Sequence, residues 1–131
     1  MSQRQVLTPG PDHPITIEPT GQRVVVRRGE LIVADTHDSL TLREASIPPV
    51  HYIPLEDVEE GAIRPSAGET YCPFKGEATY HALIAGGSEI EDAIWTYEKP
   101  FEAVAEIAGR VAFYPQHVEI EVGEPAASAT R

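Results

Sequence analysis

Thr70-Tyr71-Cys72-Pro73-Phe74-Lys75-Gly76-Glu77-Ala78-Thr79-Tyr80 is the stretch on which the reading of this 131-residue chain turns. Pro73 fixes its own φ and lacks a backbone donor, and it biases Cys72 toward an extended conformation. Gly76 permits a positive φ or a close backbone approach. A turn held between the two sets Phe74 and Lys75 at its tip. From Glu77 onward the chain alternates, with Ala78, Tyr80, Ala82 and Ile84 on one face and Glu77, Thr79 and His81 on the other. That period of two is the mark of a strand, so the centre of the chain reads as β.

The same stretch carries the chain's single cysteine. Two readings of it stand side by side. Cys72 and Lys75 sit at a pocket mouth, where a nearby ammonium favours the reactive thiolate. Alternatively Cys72 is a small buried hydrophobe, the usual state of a free cysteine, and Lys75 a solvated loop charge.

Working outward, Gly86-Gly87 reads as a hairpin turn with a return strand over Ile90 to Glu98. Trp95 and Tyr97 share a face of it, as core or, through their polar tips, as the wall of a pocket. Pro100 to Ala108 has the pattern of the one α-helix. Proline suits a first helical position, Phe101, Val104, Ala105 and Ala108 recur at helical spacing, and Gly109 suits the closing position. Val111 to Pro115 and His117 to Val122 follow as strands.

On the N-terminal side, Ile15 and Ile17 alternate with Thr16 and Glu18. Gln22 to Arg28 and Glu30 to Asp35 form a hairpin about Arg28-Gly29. In Ser39 to Glu44, residues Leu40, Leu42 and Glu44 fall on one face. If the leucines face inward, so does Glu44, and a carboxylate there needs a partner or a proton. If the strand ends at Arg43, Glu44 lies in solvent. Ile47 to Pro54 is too rich in proline for a central strand and reads as an extended edge. Leu55 to Gly61 is an acidic loop placing Asp57 close behind Tyr52, and Ile63 to Gly68 is a turn-rich connection. Residues 1–12 read as a flexible arm, 13–122 as one domain, and 123–131 as a disordered small-residue tail.

The formal charge of −11 and pI of about 4.7 disfavour nucleic-acid partners and anionic membrane surfaces. No apolar run reaches the roughly 18 residues of a membrane span, and the first residues lack the apolar core of a signal peptide. A lone cysteine forms no intrachain disulfide, so the expected compartment is the reducing cytoplasm. His13, His37, His51, His81 and His117 do not pair at metal-binding spacings and there is no CxxC, so no zinc and no other cofactor is expected. Lys75-Gly76 reverses the order of a phosphate loop.

Arg43-Glu44, Tyr52-Ile53-Pro54 with Asp57-Val58, the Thr70–Gly76 stretch with Tyr80, Trp95-Thr96-Tyr97-Glu98 with Pro100, and Ala112-Phe113-Tyr114-Pro115 occur in that order. In this the chain resembles the domain of unknown function family number 427, over about His13 to Val122. The resemblance implies a mainly β, small antiparallel β-tent-like fold with one α-helix near residues 100–108. Relatives of that architecture include methionine sulfoxide reductase B and the thalidomide-binding domain of cereblon. Many β-tents are pinned by a four-cysteine zinc site, which one cysteine cannot form. The family has also carried a nucleotidyltransferase-like label. The metal-binding carboxylates such an enzyme needs are not spaced for it here, because Gly87-Ser88 is followed too soon by Glu91 and Asp92.

Three functions are compatible with these residues. In a binding module, Tyr52, Phe74, Tyr80, Trp95 and Tyr97 line a small-molecule pocket, with Arg43, Glu44, Asp57, Cys72 and Lys75 as its polar groups. In an enzyme, Cys72 is the nucleophile or redox thiol, Lys75 the electrostatic stabiliser, and Glu44 or Asp57 the acid or base. In an interaction or structural protein the motif residues are core. The expected partner is a small molecule of unknown identity, with a homodimer left open. The sharpest expectation is geometric: Arg43, Glu44, Lys75 and Cys72 converge on one cavity lined by Tyr80, Trp95 and Tyr97.

Overall fold

The computed structural model describes residues 5–123. Its first five strands are β1 (Ile15–Pro19), β2 (Arg23–Arg28), β3 (Leu31–Thr36), β4 (Leu40–Glu44) and β5 (Ile47–Tyr52). Two short 3-10 turns lead into β6 (Ile63–Cys72), β7 (Gly76–Ala85) and β8 (Ser88–Thr96), and a third precedes β9 (Val111–Phe113) and β10 (Glu119–Gly123). All pairings are antiparallel, in three sheets ordered β1-β4-β5, β10-β2-β3 and β6-β7-β8-β9. The fold is mainly β, as the alternation along the chain predicts.

The segment after β5 stitches the sheets together. Ile53 and Val111 exchange backbone hydrogen bonds of 2.8 and 2.9 Å, tying the first sheet to β9. Val58 bridges Ala34, and the Glu59 amide donates to the Val33 carbonyl at 2.7 Å, tying the same segment to β3. Pro54 does not interrupt this, because the bonds fall on its neighbours.

The helix expected over Pro100 to Ala108 does not form. That segment is a 3-10 stretch over Glu102–Ile107, broken at Val104 (φ −128°, ψ 31°). Its ends are fixed from outside, with the Phe101 amide donating to the Lys75 carbonyl at 3.0 Å and the Gly109 amide to the Tyr97 carbonyl at 3.0 Å. Val104 and Ile107 are the buried pair, and a spacing of three puts them on one side of a 3-10 turn as well as of an α-helix. So short a span has too few internal bonds to hold an α-helix against those anchors.

Ile63 to Gly68, expected as a connection, is the first half of β6. The ladder tolerates Pro65 because β6 is an edge strand and because its register shifts between Pro65 and Glu69. Pro48 and Pro49 likewise sit in an edge strand, β5. Of the expected arm, residues 5–12 lie beside the central hairpin: the Leu7 amide donates to the Pro73 carbonyl at 2.9 Å and the Tyr71 hydroxyl to the Gln5 carbonyl at 2.5 Å. Nearly all of the expected tail lies outside the described residues, and Gly123 ends β10.

Two apolar clusters fill the interior. The larger joins Val24, Val26, Val33, Ile53, Leu83, Ile94 and Phe113. The smaller joins Leu42, Tyr52, Tyr97, Val104 and Ile107, with Cys72, Tyr80 and Trp95 against it. The site lies on the smaller cluster.

Candidate functional site

Strand register builds one wall from the first sheet. Leu40 pairs with Tyr52, Leu42 with Val50 and Glu44 with Ile47, so the alternation that turns Leu42 inward turns Glu44 inward too. Glu44 is 8% exposed. The third sheet supplies the other wall. Tyr80 pairs with Trp95 and Trp95 with Ala112, a row crossing three strands. Tyr114 leaves β9 beside that row, its ring 4.5 Å from Trp95 and 6.5 Å from Tyr80 between centroids.

The turn between β6 and β7 delivers the cation. The Lys75 amide closes the turn on the Cys72 carbonyl at 3.1 Å. Gly76 follows at φ +115°, with the Lys99 carbonyl 3.5 Å from where a Cβ would stand. This is backbone that L-residues avoid, and it presses the turn under the Tyr97–Phe101 loop. Lys75 is thereby sunk to 8% exposure, and its Nζ donates to Glu44 Oε1. The second carboxylate oxygen, Oε2, lies 2.7 Å from His13 Nε2. The His13 ring is held in place by stacking on Phe74, 4.0 Å between centroids and 7° from parallel.

Between the walls lies a cavity of about 160 Å³, lined by Leu42, Glu44, Val50, Tyr52, Lys75, Tyr80, Trp95, Tyr97 and Tyr114. Broader surface grooves lie elsewhere, two of them of about 610 Å³ beside Leu55 and His81 and about 480 Å³ beside Val6 and Phe101. Neither contains a buried ion pair, and we place the candidate site where one meets a ring of aromatics.

The electrostatics follow from burial and partners. Burial alone pushes the Glu44 carboxyl up, but the hydrogen bonds from Lys75 and His13 outweigh it and hold the group below the ordinary glutamate range. Burial raises the Tyr52 and Tyr97 phenols well above their usual value. Tyr114 is pushed up to about 12 by burial and by its Tyr80 neighbour. All three are therefore protonated hydrogen-bond donors at neutral pH. The Tyr52 oxygen accepts from Trp95 Nε1 at 3.1 Å, and the Tyr80 hydroxyl meets Thr70 Oγ1 at 3.0 Å.

Of the residues expected at one site, Glu44, Lys75, Tyr52, Tyr80, Trp95 and Tyr97 line this cavity together. Arg43 does not join them. One residue from Glu44 on a strand, it faces the other way and reaches Glu18 at 3.4 Å in solvent. Asp57 is also elsewhere, accepting from Thr36 Oγ1 at 2.6 Å where β3 meets the segment after β5. Phe74 acts at one remove, through His13. Cys72 is half-buried against the smaller cluster and is not among the lining residues. Two participants are new. Tyr114 was legible as an aromatic leaving the strand that pairs with Trp95. His13 carries no local signal, because its partner lies 31 residues away.

Among the described residues, no three or more His, Cys, Asp and Glu side chains group as a metal site. None of the helices there is long and apolar enough to cross a membrane. The family model described as Domain of unknown function (DUF427) matches residues 16–124, and the chain belongs to that family. A search of curated proteins finds no significant match.

Proposed function

We propose that this protein binds a small molecule in the cavity between Trp95 and the Glu44–Lys75 pair. The observation that carries the reading is a buried ion pair opening onto a cavity walled by Tyr52, Tyr80, Trp95, Tyr97 and Tyr114. A buried salt bridge is poor value as a stabiliser, since desolvation offsets its attraction. An aromatic wall with a few convergent polar groups is the usual composition of a ligand site. At about 160 Å³ the cavity is below the roughly 300–1,000 Å³ of drug-sized pockets, so the ligand is small or enters by one end only. The cytoplasm is the compartment in this reading, supported by the free thiol of Cys72.

An enzyme built on Cys72 has less support, because that residue is not among those lining the cavity. The test is a fragment screen by ligand-observed NMR on the wild type and on Val50→Phe, which places a ring across the lining at a half-buried position. The expected result is a set of small hits that Val50→Phe abolishes while its strand dispersion is unchanged. An absence of hits, or hits indifferent to that substitution, overturns the reading.

A further inference from the structure

The polar atoms around the cavity are unequally satisfied, and the imbalance has a sign. A lysine ammonium has three donor hydrogens and no acceptor. Lys75 Nζ gives one to Glu44, and no other described residue accepts from it. The Tyr97 hydroxyl, on a side chain 6% exposed, bonds to no described residue. The Tyr52 oxygen receives the indole N–H of Trp95, which leaves its own hydrogen to give. Each oxygen of Glu44 already holds one bond, Oε1 from Lys75 and Oε2 with His13. The cavity therefore has two ammonium hydrogens and two phenolic hydrogens unspent, and its carboxylate already engaged at both oxygens.

We propose that the cavity is a receptor for a small carboxylate, whose two oxygens take the spare hydrogens of Lys75, Tyr52 and Tyr97 while its short apolar end lies against Trp95 and Tyr114. This deepens the binding reading above and rests on it. A carboxylate fits the count, since its two oxygens offer about four lone-pair positions. Bonds from an ammonium to such a group are roughly twice as strong as neutral ones. The phenols remain protonated beside an added negative charge, because burial already holds them so. The volume of about 160 Å³ equals about five waters at about 30 Å³ each, which admits an acid of a few heavy atoms.

Trp95 is the chain's single tryptophan, so intrinsic indole fluorescence reports on this cavity alone. Acetate, propionate and butyrate are titrated against acetamide, propionamide and butyramide in a carboxylate-free buffer, following Trp95 emission and heat of binding. The expected result is saturable binding of the acids, at least tenfold tighter than their amides. Tyr97→Phe, which deletes one hydroxyl and keeps the ring, is expected to weaken the acids about tenfold and the amides less. Amides or other neutral fragments binding as well as the acids would overturn the carboxylate proposal and leave the pocket reading standing. If no acid, amide or neutral fragment perturbs Trp95 or releases heat, both fall together. Acids that bind equally well to wild type and Tyr97→Phe would overturn the assignment of the donors.

Discussion

Ile94 and Trp95 are consecutive on β8, and the pleat sends them to different interiors. Ile94 is fully buried in a cluster of valines, isoleucines and alanines with one leucine and one phenylalanine. Trp95 enters a cluster whose aromatic members carry hydroxyls or an indole N–H, next to a buried ion pair. The first cluster asks nothing of its neighbours but shape, and dispersion and water exclusion favour it wherever it closes. The second must match each polar tip to a partner, and each failure costs free energy. The first spans β2, β3, β7, β8 and β9, and the second shares the last three of these strands with it. The division of labour is the functional argument: one half of the interior is apolar throughout, and the other half is polar, charged and lined up on a cavity.

The largest effect that would break this comparison is expected at Lys75. Lys75→Ala leaves Glu44 buried with His13 as its remaining partner, and losing one member of a buried pair costs about 3–5 kcal/mol. Replacing both by apolar groups, Glu44→Leu with Lys75→Met, is expected to recover most of that loss while abolishing ligand binding. Urea unfolding of the three proteins measures it. If Lys75→Ala unfolds at the wild-type midpoint, the pair is not the energetic centre of the second cluster.

Leu83→Ala probes the other side. Leu83 has no exposed surface, and deleting a buried leucine to alanine costs about 2–5 kcal/mol, depending on how far the cavity collapses. The expectation is a loss near the middle of that range with no change in Trp95 emission or in ligand affinity. Coupling between Leu83→Ala and Tyr97→Phe in a double-mutant cycle would show that the two clusters are one.

A smaller effect is expected at the turn that aims the cation. Gly76→Ala forces a side chain into φ +115° and against the Lys99 and Pro100 backbone, a strain of about 1–3 kcal/mol. Its signature is weakened ligand binding beyond the stability loss, because Lys75 moves with the turn. Equal loss at Gly86→Ala (φ +60°, with open space around it), without change in binding, is the control that isolates aiming from strain.

Much of this was legible in the sequence, and the rest fails for identifiable reasons. Period-two alternation placed Leu40, Leu42 and Glu44 on one face, and Pro73 with Gly76 located the turn carrying Lys75. Both are local signals, and the fold brings those two charges together. The segment Pro100 to Ala108 misled because Val104 and Ile107 satisfy two helical periods equally, and anchors at Lys75 and Tyr97, distant in sequence, chose between them. Arg43 and Asp57 misled because closeness in sequence says nothing about which face of the backbone a charge leaves. His13 was invisible, since a loop histidine acquires meaning only when tertiary packing lays it on Phe74 and against Glu44.

The subtlest prediction separates the charged cluster from the histidines by pH. Glu44 has a folded-state pKa below the ordinary 4.5, the Lys75 and His13 bonds overcoming its burial. The unfolded chain therefore binds its proton first as the medium acidifies. The stability this provides is complete above about pH 4.5 and is lost as pH falls through the folded-state value. Asp35, held low by Arg23 on the surface, acts in the same direction, more weakly because solvent screens it. His51 and His81 are lowered from 6.5 chiefly by burial, so the unfolded chain takes up their protons first below that pH and a gentler loss starts there. The melting temperature should accordingly fall in two stages on acidification. Glu44→Gln is expected to flatten only the lower stage, His51→Asn with His81→Asn only the upper, and Asp35→Asn to trim the lower stage slightly. Differential scanning fluorimetry between pH 3 and pH 8 reads all four curves. A Glu44→Gln protein whose lower stage stays as steep as the wild type's would mean that the carboxylate is not held ionised by Lys75 and His13, and the charged half of the interior would lose its physical basis.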